Sequence, residues 1–62
     1  MEKGDIIEFT DGRMNGIRKD GTYSRIYLIL SDNLFRIHTV INDGDKEVHN
    51  YINVNREEIR KI

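Results

Sequence analysis

The chain has 62 residues, 37% of them apolar, and no cysteine, proline or tryptophan. Its length limits it to one small domain, expected to span residues 1–62, and the lack of cysteine excludes a disulfide framework or a thiolate metal site. Ten Lys/Arg against eleven Asp/Glu leave a formal net charge of −1, which excludes the strongly basic balance of a general nucleic-acid binder.

The chain opens on Met1-Glu2-Lys3-Gly4-Asp5 with no apolar signal core behind it, and it holds no membrane-length apolar run. A cytoplasmic protein with no membrane partner is expected. The first strand reads Asp5-Ile6-Ile7-Glu8-Phe9. A polar loop follows from Thr10 to Gly21, with Ile17 placed to pin its middle. Turns are marked by Asp11-Gly12, Asn15-Gly16, Asp20-Gly21 and Asp43-Gly44, because Asp and Asn tolerate left-handed backbone and glycine adopts it freely. Between them, runs rich in Ile, Tyr, Phe and Val predict three longer strands near 22–31, 34–42 and 47–54. Asn55, with Glu58 three residues on, predicts a capped single helical turn over Arg56–Ile59 and then a short final strand.

Strand register follows from turn length. A two-residue Asp32-Asn33 loop sets Ser31 opposite Leu34, and then pairs Leu30 with Phe35, Leu28 with Ile37 and Ile26 with Thr39. The Asp43-Gly44 turn sets Asn42 opposite Glu47, pairing Ile41 with Val48, Ile37 with Ile52 and Phe35 with Val54. The expected inner face is Ile26, Leu28, Leu30, Phe35, Ile37, Ile41, Val48, Ile52 and Val54, closed at its ends by Ile6, Ile7, Phe9, Ile59 and Ile62. An all-β fold is expected: a small SH3-like barrel of about five strands, with a long first loop and one helical turn before the last strand. An OB-fold is the alternative, but it needs more residues and a longer helix.

The stretch Lys3-Gly4-Asp5-Ile6-Ile7-Glu8-Phe9-Thr10-Asp11-Gly12, with Asn15-Gly16 after it, resembles the KOW-type SH3-like barrels of ribosomal proteins and transcription elongation factors. Gly4, Asp5, Gly12 and Gly16 follow the family's order. The resemblance covers about a quarter of the chain. It implies the barrel and, through the family's habits, contact with RNA. Arg13 to Gly21 departs from it, being longer and more charged than the usual linker.

Alternation places Tyr23, Arg25, Tyr27, Ile29, Arg36, His38, Val40, His49 and Tyr51 on the outer face, with Glu47 as its one acidic residue. Tyr and Arg are enriched where proteins bind proteins, and they also stack on bases and reach phosphates. The same residues could equally serve a solvated sheet. The near-neutral charge favours a host or cellular protein as partner. Tyr23, Arg25, Tyr27, Arg36, His38, His49 and Tyr51 are then the expected contacts, with Arg13, Arg18 and Lys19 contributing from the first loop. Single-stranded RNA or DNA bound by the same face is the alternative. A third reading is self-association into a homo-oligomer, through an edge strand or an Ile29/Val40 patch.

No cofactor or metal is expected. His38 and His49 supply two imidazoles where zinc needs three or four ligands. Neither serine has a base and orienting acid beside it, and there is no phosphate-binding or dinucleotide motif, so an enzyme is not expected. Ten Ile and six Asn without a single Ala point to AT-rich coding, which suits a short phage or mobile-element accessory that modulates a host protein.

Overall fold

The structure, a computed structural model, describes residues 1–12 and 21–62. The expected contacts Arg13, Arg18 and Lys19, the Asn15-Gly16 turn and Ile17 lie outside the described residues. The described chain is all-β, with five strands: β1 (Ile7–Phe9), β2 (Tyr23–Ile29), β3 (Leu34–Asp43), β4 (Lys46–Asn55) and β5 (Ile59–Lys61). One 3-10 turn, Arg56–Glu58, precedes β5. The Glu58 carboxylate accepts from the Asn55 backbone N–H at 2.6 Å, the capping arrangement expected there.

The strands form two antiparallel sheets, β2-β3-β4 and β1-β5, which do not close into the expected barrel. The sheets are joined along one edge. Gly4 N–H donates to the Ile26 carbonyl at 2.8 Å, and Ile26 N–H donates to the Asp5 carbonyl at 2.9 Å. Ile7, Phe9 and Ile59 from the small sheet pack on Ile26, Phe35, Ile37 and Val54 from the large one. Burying each such side chain contributes about 1.5–3 kcal/mol.

Away from this core the β3–β4 hairpin runs on, and the molecule measures 36 × 18 × 16 Å. The core therefore occupies only part of the expected inner face. Val48 is 39% exposed, Ile52 42% and Leu30 40%, while Ile62 is also exposed. Ile6, Leu28 and Ile41 are half-buried.

The β3–β4 register is as expected, with Ile37 opposite Ile52 and Phe35 opposite Val54. Its Gly44-Asp45 loop has Gly44 at φ +65°, the left-handed backbone that tight hairpins require. The β2–β3 register differs. The turn is as expected, since Ser31 N–H donates to the Leu34 carbonyl and Leu34 N–H to the Ser31 carbonyl. But Leu30 N–H donates to the same Leu34 carbonyl, so two residues oppose one, which is a bulge. A second shift falls between Ile26 and Leu28, at Tyr27.

Each bulge moves the register by one residue. Between them the faces are exchanged, so Leu28 stands opposite Arg36 and Ile29 opposite Phe35. Beyond Tyr27 the two shifts add, and Ile26 stands opposite Ile37 rather than Thr39. Ser24 then meets Thr39, and their buried hydroxyls bond at 2.8 Å.

Candidate functional site

The face of the large sheet opposite the core gathers most of the expected site residues. Register sets Arg25, His38 and Tyr51 in one row across β2, β3 and β4. In the next row stand Tyr23, Val40 and His49. Alternation along the strands keeps all six on one face. Tyr27, at the bulge, is aimed back over this group. Its ring meets Tyr51 edge-on at 5.1 Å and His38 at 6.2 Å, and the Arg25 guanidinium lies 5.9 Å from it.

A hydrogen-bonded chain crosses the three strands. Arg25 Nε donates to His38 Nδ1 at 3.0 Å. His38 Nε2 and His49 Nδ1 are 2.7 Å apart, and His49 Nε2 lies 3.3 Å from Glu47 Oε1. The ends decide the direction. Guanidinium only donates, so His38 Nδ1 accepts and the neutral ring carries its hydrogen on Nε2. That hydrogen goes to His49 Nδ1, leaving the His49 hydrogen on Nε2 to meet the Glu47 carboxylate. The two imidazoles are 5.0 Å apart and tilted by 13°. With nitrogens so close, they lie side by side in nearly one plane. The Tyr51 ring stacks on His38 at 4.7 Å and 11°.

His38 is buried at 5% exposure, and burial, the Arg25 charge and His49 all hold its pKa below the ordinary value. It acts here as an interior strut, not a presented contact. Val40, expected on the wet side beside Ile29, is buried at 3% exposure, so these two do not form the expected exposed patch. Tyr51 is 52% exposed and presents its ring to solvent.

Beside the stack lies an open groove of about 540 Å³ lined by Tyr27, Arg36, Tyr51 and Asn53. Arg36 Nε donates to Asn53 Oδ1 at 3.1 Å, which steadies both at the groove wall. Asn53 was not among the expected contacts, although its odd position on β4 puts it on the outer face with His49 and Tyr51. Glu47 likewise has a larger part than its sequence position announced.

Among the described residues, no group of three or more His, Cys, Asp or Glu is placed to hold a metal ion. The facing imidazole nitrogens already bond each other. Nor is any described helix long and apolar enough to cross a membrane. No family model matches the chain, and comparison with curated proteins and with solved structures found no match to it.

Proposed function

We propose that this chain is a non-enzymatic protein-binding module of SH3-like arrangement. Its outer face takes an extended segment of a partner protein across Tyr27 and Tyr51, with Arg36 and Asn53 as polar anchors. The SH3-like reading is supported by the five-strand order and by the single 3-10 turn before the last strand. The observation that carries the binding reading is the groove. It combines two aromatic rings, a guanidinium and an amide on a chain with no net basic excess.

Among the described residues, five of the seven Lys and Arg side chains are tied to a neighbour, which favours a protein over nucleic acid. Arg25 is held by His38, Arg36 by Asn53 and Arg56 by the Asp32 carbonyl. Arg60 pairs with Glu8, and Lys61 with Asp5. A phosphate-tracking groove needs cations aligned along it and free of such ties. The test is affinity capture from a low-GC bacterial lysate, split into nuclease-treated and untreated halves. A stoichiometric protein should survive nuclease and be lost with the folded Tyr27→Ala/Tyr51→Ala variant. Equal capture by that variant would overturn the reading. Captured material that vanishes with nuclease would replace it with nucleic-acid binding.

A further inference from the structure

Strand β4 has an open side. From Lys46 to Asn53 every residue is exposed. Among the described residues, only β3 pairs with it. The opposite edge of the sheet differs, because Gly4, Asp5 and Ile6 lie along β2 there.

The backbone groups on the open side can be identified. The two-residue loop makes Asp43 and Lys46 the closing hydrogen-bonded pair, and antiparallel ladders alternate from there. Even-numbered residues of β4 therefore turn their N–H and C=O toward β3. Arg56 keeps this parity, its N–H donating to the Asn33 carbonyl at 2.8 Å. Glu47, His49, Tyr51 and Asn53 turn theirs outward. The next outward N–H, that of Asn55, is taken by Glu58, so the open ladder ends at Asn53.

We propose that this edge pairs with β4 of a second copy, antiparallel and centred on Asn50, joining two large sheets into one. The side-chain pattern selects both occupant and register. In a two-fold pairing centred on Asn50, Val48 meets Ile52 of the other copy, twice, on the core-side face. On the outer face His49 meets Tyr51, and Glu47 meets Asn53. The outward-turned groups of these four residues fall into bonded pairs. On the core-side face two Val48–Ile52 contacts flank a central Asn50 pair, on the outer face rings meet beside Glu47–Asn53, and no like charges are opposed.

Centring on His49 instead sets Val48 against Asn50, Lys46 against Ile52 and Glu47 against Tyr51, losing both apolar matches and keeping only a His49–His49 ring pair. The exposed Val48 and Ile52 are thereby accounted for. They are an interface stripe of a chain too small to cover them itself.

The experiment is sedimentation of the full chain over a wide concentration range, with single cysteines at Val48, Asn50 and Ile52. The chain has no cysteine of its own, so the background is clean. A reversible monomer–dimer equilibrium is expected. On mild oxidation Asn50→Cys should cross-link at least ~10-fold faster than Val48→Cys or Ile52→Cys. At the two-fold axis its sulfurs meet within disulfide reach, whereas like thiols at the other sites stand about 13 Å apart. All three positions are exposed, and circular dichroism checks that each variant keeps its fold. A monomer at every concentration overturns the proposal. So does a dimer that cross-links fastest at position 48 or 52, or at none of the three.

Discussion

The buried hydroxyl pair Ser24–Thr39 offers a direct test of the bulged β2–β3 register. Ser24 is fully buried and Thr39 6% exposed, and their hydroxyls bond at 2.8 Å. Ser24→Ala removes one partner and leaves the Thr39 hydroxyl inside without it, at a cost of about 1–3 kcal/mol. For a chain this short, total stability is on the order of 3–9 kcal/mol. Each kcal/mol moves Tm by about 4–8 °C, so the single variant should melt roughly 5–20 °C lower. Thr39→Val should cost a similar amount, for the same reason. The double variant replaces both hydroxyls with apolar groups and should recover most of the loss, giving a coupling on the order of 1–2 kcal/mol. Thermal melts of the four proteins by circular dichroism close the cycle. Without the bulges, Ser24 would stand opposite Ile41 and Thr39 opposite Ile26, and the hydroxyls could not meet. Additive losses in the double variant would therefore refute the register described above.

Stability should depend on pH through His38. Its folded pKa is held low by burial, by Arg25 and then by His49, so below about pH 6.5 the unfolded chain takes up a proton that the folded chain refuses. Stability should be full above that pH and fall as pH drops toward the lowered folded value. His38→Gln should flatten Tm between about pH 8 and about pH 5, and an unchanged slope would discount the role given to His38. Gly21 sits at φ +87°, and an added Cβ there would collide with the Asn42 side-chain amide. Gly21→Ala should therefore destabilise by more than about 1 kcal/mol in urea unfolding, whereas Gly44→Asn, placed in open space, should cost less. Glu58→Ala frees the Asn55 N–H and should cost about 1 kcal/mol, read by the same unfolding curves.

Strand number, the limits of β3 and β4 to within one residue, and the β3–β4 register were legible because turn residues and alternation agree there. Asp43-Gly44 marks the turn, and Phe35, Ile37 and Ile41 alternate against Val54, Ile52 and Val48. The β2–β3 register was not legible. Its two bulges fall at Leu30-Ser31 and at Tyr27, where neither glycine nor proline gives a cue. Since the two shifts add to an even number, Tyr23, Arg25 and Ile26 still fall on their expected faces, while Leu28 and Ile29 exchange theirs. Alternation thus placed Arg25, His38, His49 and Tyr51 together but left their bonding hidden. Burial was misjudged where alternation cannot see cover. His38 and Val40 are buried on the face expected to be wet, while Val48 and Ile52 lie bare on the face expected to be dry.

The bonded chain from Arg25 to Glu47 cannot be run backwards. A row of waters or hydroxyls can reverse all its bonds together and pass a proton along. Here one terminus has no lone pair to offer and the other has no hydrogen to give. The chain therefore gives no path for relaying a proton inward past His38, whose Nδ1 is held by the donor-only Arg25 guanidinium. What persists is a fixed polarity across the strands, positive at β2 and negative at β4. A segment lying across this face meets a different electrical environment at each end, so its two possible directions are not equivalent.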